Sequence, residues 1–295
     1  WPNNMTIKEL LNFGAKRLKS KSTSPQLDSE VLLSFVLNKP KSFLFANPKL
    51  SPTKRSVSKF LSALERRALG EPVAYLTGAK EFMGMKFKVS KSVLIPRPET
   101  ESMVEELIRT LHGQKNLMIL DIGTGSGCII IALAKNLPGN TFFASDITKA
   151  SLAVARKNGK AAGTKIIFKQ GSLLAPWKQK SFDVIIANLP YLPAVASAKA
   201  GGWKAWKNNT STATSGLKFE PKEALFTGEN GLQLIESLLS QLSNRSKTRL
   251  VVLEFDPRQA LKIKKLANKY LPTNKITLFK DLYGKLRFAL IEINK

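Results

Sequence analysis

The chain has 295 residues, 43% hydrophobic and 23% charged, with a formal net charge of +26; this is a globular composition with room for one large domain or two ordinary ones. No apolar run approaches the ~18 residues of a membrane span, the one around Cys128–Ala134 being far too short, and the polar start Trp1-Pro2-Asn3-Asn4 reads as no signal peptide, with Met5 as the natural start. One cysteine, Cys128, and one histidine, His112, leave no disulfide framework, cysteine cluster or multi-histidine metal site within the chain, and a reducing cytoplasm is the simplest compartment.

Residues 5–75 read as helical. Ile7, Leu10, Leu11 and Leu18 recur at helical spacing, as do Val31, Leu32, Phe35 and Val36, and then Val57, Phe60, Leu61 and Leu64. Breaks fall at Ser24-Pro25, Lys39-Pro40 and Asn47-Pro48, and Ser51-Pro52 reads as an N-cap and first helical residue. The period changes over 79–95, where Phe82, Phe87, Val89, Val93 and Ile95, with Gly84 between, predict a β-hairpin. Ile95-Pro96-Arg97-Pro98-Glu99-Thr100-Glu101 then leads into a helix that ends near His112, read as a solvated helix-end residue.

From 115 onward strands and helices alternate. Strands are predicted at Leu117–Asp121, Thr141–Asp146, Lys165–Lys169, Phe182–Asn188, Arg249–Phe255, Ile276–Lys280 and Arg287–Ile293. Helices are predicted at Cys128–Lys135, Ala150–Ala162, Leu232–Leu242 and Pro257–Leu271. Such alternation predicts a mostly parallel sheet covered on both faces. The last two strands are joined too closely for a parallel crossover, so they form an antiparallel hairpin. The fold class is therefore α/β: a doubly wound, mostly parallel seven-stranded sheet with a terminal antiparallel hairpin, preceded by a small helical domain. The boundaries fall at 1–75 for the helical domain, 76–98 for a hairpin linker and 99–295 for the α/β domain. Pro193–Phe219 is a polar stretch carrying Trp203 and Trp206, either a cover for the site or a mobile insertion.

Two motifs carry chemistry. Asp121-Ile122-Gly123-Thr124-Gly125-Ser126-Gly127 joins the first strand of the alternating region to the next helix. Its glycines allow tight turning and close backbone approach. The spacing is G-x-G-x-G, neither the dinucleotide G-x-G-x-x-G nor a P-loop. Asp121 suits the ammonium end of a methionine moiety, and Asp146, ending the next strand, suits two ribose hydroxyls. S-adenosylmethionine fits this pair; a structural turn and a nicotinamide site are the alternatives. Cys128 reads as a packing residue. The second motif, Asn188-Leu189-Pro190-Tyr191, succeeds a buried strand and suits a planar NH₂ group, amide or adenine, with acceptors for two N–H bonds and a flat ring.

Pro72-Val73-Ala74-Tyr75-Leu76-Thr77-Gly78, Glu81-Phe82 and Leu94–Glu101 resemble the peptide chain release factor glutamine methyltransferases. So do Phe219-Glu220-Pro221, Ala224-Leu225, Gly231-Leu232 and Asp281-Leu282-Tyr283-Gly284-Lys285-Leu286-Arg287. The resemblance implies a class I S-adenosylmethionine-dependent fold, a helical bundle that helps bind the protein substrate, and methylation of the glutamine amide in a Gly-Gly-Gln motif of release factors. It assigns cofactor contacts to Gly123, Gly125 and Asp146; the loop reading adds Asp121, Thr124 and Gly127, and Ser172 and Asn188 complete the expected cofactor set. It assigns the substrate amide to Asn188, Leu189, Pro190 and Tyr191, with Asn188, Pro190 and Tyr191 catalytic. Three positions depart from the family pattern: Leu189 in place of Pro, Ser172 in place of Asp, and Glu254-Phe255-Asp256 in place of Glu-Ile-Gly or Glu-His-Gly. Leu189 is shared with ribosomal RNA adenine dimethyltransferases, and with the basic charge it keeps open an adenine amino-methyltransferase acting on RNA or DNA. A non-catalytic, cofactor-binding protein docking on RNA is the other reading. The +26 charge predicts attraction to polyanions, ribosomal RNA among them, or to an acidic partner. It is mostly Lys and scattered through every segment, which equally fits a general lysine bias.

Overall fold

The computed structural model describes residues 5–193, 212–228, 231–243, 247–271 and 274–293, and the chain divides into two compact units. Among the described residues no helix is long and apolar enough to cross a membrane.

The first unit gathers the described residues up to Ala79 and those of 212–219. Its helices are α1 (Ile7–Leu18), α2 (Pro25–Leu37), α3 (Lys41–Ala46), α4 (Lys54–Ala68) and α5 (Val73–Thr77). Thr6 and Glu9 close a capping box at the start of α1. The apolar stripes foreseen in sequence bury Ile7, Leu10, Leu18, Leu32, Phe60 and Leu64 in one core. α1 and α2 approach closely at Gly14, where a Cβ would stand 2.2 Å from Ser29 Oγ. That hydroxyl donates to the Leu11 carbonyl at 3.1 Å. The start of α4 differs from expectation: the N-cap is Thr53, whose Oγ1 accepts from Ser56 N at 3.3 Å, with Ser51 and Pro52 outside the helix. Threonine is itself a favoured N-cap, and Thr53 lies one turn before the first buried apolar residue, Val57. Of the stretch expected to lack structure, 194–211 lies outside the described residues. Thr212–Phe219 is a 3₁₀ helix, and Gly216 rests against Pro72, at 3.2 Å from a Cβ to Pro72 Cγ.

The second unit, which begins at Lys80, holds all but the first residue of a hairpin, β1 (Ala79–Phe82) and β2 (Met85–Lys88), and a seven-stranded sheet. The hairpin is shorter than predicted. Its apolar residues Val93 and Ile95 are buried from irregular backbone, so their apolarity reflects burial and not strand pairing. The sheet runs β5 (Ile166–Gln170), β4 (Thr141–Asp146), β3 (Met118–Ile122), β6 (Val184–Ala187), β7 (Leu250–Glu254), β9 (Leu286–Ile293), β8 (Asn274–Lys280). The first five pair in parallel and β9 is antiparallel to both neighbours. This is the seven-stranded sheet and terminal hairpin read from the sequence.

One face of the sheet is covered by α6 (Pro98–Leu111) and α7 (Cys128–Asn136), whose Met103, Val104, Leu107 and Ile130 join Ile119, Ile186 and Val252 in one core. The other carries α9 (Gln233–Leu242) and α10 (Ala260–Tyr270), packing Leu238 and Ile263 on Leu120, Ile185 and Val251. α8 (Lys149–Ala161) packs beside β5 and β4. α10 is preceded by a 3₁₀ turn, Pro257–Gln259, and is not one helix from Pro257. Asp256 accepts from Arg258 N there and Gln259 answers with a bond from Asp256 N, so the unexpected aspartate is a helix cap. The chain winds outward from β3 through β4 to β5, then returns to place β6 on the other side of β3. Ligands of open α/β sheets bind in the crevice at the strand carboxyl ends where the winding reverses.

Candidate active site

A cavity of about 390 Å³ lies at that crevice. Its wall includes Gly123, Thr124, Gly125, Asp146, Ser172, Asn188, Leu189 and Pro190. Most residues singled out from the sequence thus meet in one place; Asp121, Gly127 and Tyr191 stand just outside the lining.

The glycine loop is held from beneath. Gly123 N and Thr124 N both donate to the Ser145 carbonyl, at 2.9 and 3.0 Å. Gly125 N donates to Asp146 Oδ2 at 3.0 Å. Gly123, Gly125 and Gly127 have φ of 74°, 54° and 81°, where a side chain is strained. The three differ in what they face. A Cβ on Gly125 would meet nothing within 4 Å, so that backbone lies open for a ligand. A Cβ on Gly123 would stand 3.2 Å from Leu189 Cδ2. A Cβ on Gly127 would stand 3.0 Å from Ile131 and 3.2 Å from Ala155, so Gly127 serves helix packing and not the cavity.

Asp121 is 1% exposed. One carboxylate oxygen accepts from Thr124 Oγ1 at 2.6 Å; the other, Oδ1, is buried without a partner. Burial pushes this carboxyl up to about 7, against the Thr124 hydroxyl, with Asp146 adding to the rise. An unpartnered buried acceptor under a cavity is costly unless a donor completes it. Asp146 orders its own surroundings too: Oδ1 accepts from Thr148 N at 3.0 Å. A carboxylate has about four acceptor sites, so capacity remains. Ser172 is exposed on the cavity wall. Cys128 is buried and its thiol is pushed up to about 12 by burial, which fits packing and not nucleophilic attack.

β6 ends one residue earlier than predicted, at Ala187, which frees the Asn188 backbone from the ladder. Successive side chains of a strand point to opposite faces. Ala187 and Leu189 share the α9/α10 core, while Ile186 belongs to the α6/α7 core. Asn188 therefore faces α6 and α7, and Leu189 is 5% exposed beneath Gly123. The departure at Leu189 places an apolar side chain into packing. Beyond it the backbone is pinned: Leu192 N donates to the Leu225 carbonyl at 3.0 Å, and Thr227 N to the Leu192 carbonyl at 2.9 Å. Gln259 Nε2 donates to the Tyr191 carbonyl at 2.9 Å. Tyr191 is half-buried, and burial with Glu254 nearby raises its hydroxyl's pKa, Arg287 and Arg97 opposing.

Four polar residues belong to this neighbourhood that motif reading did not place there. Glu220 is 5% exposed; its carboxylate accepts from Ile95 N at 3.1 Å and from Arg97 at 2.5 Å, bringing the Leu94–Arg97 segment to the cavity wall. Thr100, in the first turn of α6, also lines the cavity. Glu254, last in β7, comes directly after the register pair Ala187↔Leu253 and so stands next to Asn188. Arg287 is held by Asp281 at 3.0 Å, and Asp281 also accepts from Tyr283 N and Lys285 N. The sequence signal for all four was their place in family-like segments, which marks them without stating a role.

Comparison with known proteins agrees with this fold. Residues 9–78 match the PrmC N-terminal domain and residues 100–211 the Methyltransferase small domain. Among solved structures, the hMettl16 catalytic domain in complex with MAT2A 3′UTR hairpin 1 superposes with a TM-score of 0.55, at 17% identity over 83% of each chain, a likeness of fold alone. Among relatives, the release factor glutamine methyltransferase of Koribacter versatilis is 36% identical over 81% of each chain. That of Coxiella burnetii is 36% identical over 97% of this chain and 98% of its own. With both the helical and the α/β parts inside that match, the chain belongs to the release factor glutamine methyltransferase family.

Proposed function

We propose that this chain transfers the methyl group of S-adenosylmethionine to the side-chain amide nitrogen of the glutamine in the Gly-Gly-Gln motif of a peptide chain release factor. The observation that carries the reading is the meeting of the glycine loop, Asp146 and Asn188-Leu189-Pro190 around one cavity.

The cavity suits the cofactor. Asp121 Oδ1 offers a buried, unpartnered acceptor for an ammonium group, the open side of Gly125 admits a close ligand, and Asp146 keeps acceptor capacity. Thr124, Ser172 and Asn188 complete the set, Gly123 and Gly127 shaping the loop. When bound, the sulfonium supplies an electrophilic methyl carbon; the protein positions and stabilises. An amide nitrogen is a weak nucleophile because its lone pair is delocalised. Asn188 Oδ1 and the Leu189 carbonyl accept its two N–H bonds, Pro190 fixes the backbone direction, and Tyr191 supplies an aromatic face. Such preorganisation is worth on the order of 7–11 kcal/mol of barrier. The proton leaves after transfer, when methylation has made the nitrogen acidic. The helical N-terminal unit recognises the protein substrate, and the compartment is the reducing cytoplasm. The +26 charge adds weak attraction to ribosomal polyanions.

The test uses labelled S-adenosylmethionine with a release factor, with the same factor lacking the glutamine, and with ribosomal RNA. Label in the first alone is the expected result. Label in RNA overturns it in favour of the adenine enzyme, and label nowhere in favour of a non-catalytic binder.

Asp121 adds a pH dependence. Its carboxyl is protonated below about 7 without ligand, and an ammonium needs it ionised. Cofactor Kd is therefore expected to rise as pH falls through 7, by up to about tenfold per unit, and Asp121→Asn to remove that slope. Titration calorimetry from about pH 8 to 6 measures it; a flat wild-type Kd rules out the Asp121 contact. The sign for stability is the reverse. A carboxyl raised above its unfolded value stabilises the ligand-free fold in acid, and this contribution is lost as pH rises through about 7.

A further inference from the structure

We propose that Glu254 is a positioning residue that decides which atom of the Asn188 side-chain amide faces the cavity. The inference rests on the proposed methyl transfer to glutamine, in which Asn188 must present oxygen to the substrate amide.

An asparagine amide has two faces, one accepting and one donating, and only the accepting face is useful here. Something must hold the NH₂ group away. Glu254 is 2% exposed and comes directly after Leu253, the register partner of Ala187, so it is the parallel-strand neighbour of Asn188. It shares with Asn188 the side of the sheet covered by α6 and α7. An ionised carboxylate has acceptors only, so it draws the Asn188 Nδ2–H group and turns Oδ1 outward.

The surroundings support a task beyond packing. Glu254 Oε2 and Thr100 Oγ1 are both buried without a hydrogen-bond partner. Thr100 and Asn188 nevertheless lie close enough to stabilise the carboxylate's charge. Glu254, Thr100 and Asn188 thus form one polar cluster at the end of β7, its first two members buried. The charged and titratable groups that face Glu254 are Glu99 from α6, Arg287 from β9, Tyr191 beyond β6 and Cys128 from α7. Burial pushes the Glu254 carboxyl up to about 7; Thr100, Arg287 and Asn188 oppose this and Glu99 adds to it. Below that pH the carboxyl gains a donor and no longer dictates the amide's orientation.

The experiment is the pH profile of kcat, at saturating cofactor and release factor, for the wild type and Glu254→Gln, together with cofactor Kd. The glutamine keeps the shape but offers both donor and acceptor. Expected are a wild-type kcat that falls below about pH 7, and a variant kcat reduced by roughly 10²-fold, the scale of a misplacement near 1 Å. The variant profile should lose the acid limb, and cofactor Kd should stay within about twofold. A variant with wild-type kcat and profile overturns the inference, as does a loss carried equally by cofactor affinity. Should the variant fail to fold by urea unfolding, the wild-type profile decides: an acid limb in kcat supports the inference and a flat one overturns it. A wild type that transfers nothing to the release factor overturns the parent reading and this one together. A wild type that transfers while Glu254→Gln matches it overturns this one alone.

Discussion

Asn188→Ala is expected to lower methyl transfer to a release factor by about 10³-fold, the upper end for removing one preorganised hydrogen-bonding group from a reacting centre. Cofactor Kd should change far less than transfer does, because Asn188 is one of several cofactor contacts and the glycine loop is also held by Ser145 and Asp146. The loss belongs in kcat: a group that engages the amide as its nitrogen gains charge acts on the transition state more than on binding. The variant also takes from Glu254 one of the groups that hold its carboxyl down, so that carboxyl should rise further above its ordinary range. Labelled transfer and calorimetry on the same preparation check both halves. Full activity of Asn188→Ala on the release factor would sink the assignment of Asn188.

The sheet was legible because its central strands are buried on both faces. Ile119, Leu120, Ile185, Ile186, Val251 and Val252 are all buried, and runs of that kind admit few alternatives. The glycine loop was legible for a similar reason, positive φ being a demand that glycine meets. Periodicity failed where burial and pairing part company. Val93 and Ile95 are apolar because they are buried, yet their backbone is bonded elsewhere, Ile95 N to a glutamate 125 residues away. No local pattern can announce such a partner. The same limit hid Glu254 and Thr100, whose meaning depends on the register of β6 with β7 and on the packing of α6. The lone Asp256 illustrates the converse: read as a departure from a family pattern, it is explained by local capping alone.

Among the described glycines of the second unit, Gly231→Ala should be the most damaging single methyl. Gly231 has φ of +68°, and a Cβ there would stand 2.1 Å from the Tyr191 carbonyl oxygen and 2.8 Å from its carbon. Real Cβ atoms do not approach backbone so closely, and backbone, unlike a flexible side-chain tip, cannot swing aside. The left-handed conformation alone costs an alanine about 1–2 kcal/mol. Relief of the clash must move residue 191, whose carbonyl also accepts from Gln259 Nε2 at 2.9 Å, while residue 192 is tied to Leu225 and Thr227. The strand end carrying Asn188 and Pro190 is therefore displaced from a distance, by a residue that does not line the cavity. Expected are a lowered urea midpoint and a kcat loss on the order of 10²-fold, with cofactor Kd nearly unchanged because the glycine loop hangs from β4. Gly125→Ala should show the opposite split. Nothing lies within 4 Å of its Cβ, so the fold bears only the cost of φ of +54°, while the side open to ligand is narrowed and cofactor Kd rises. If Gly231→Ala keeps wild-type kcat, the pinned segment beyond Tyr191 does not control the geometry at Asn188, and the chain tolerates slack where the bonds around residues 191 and 192 indicate none.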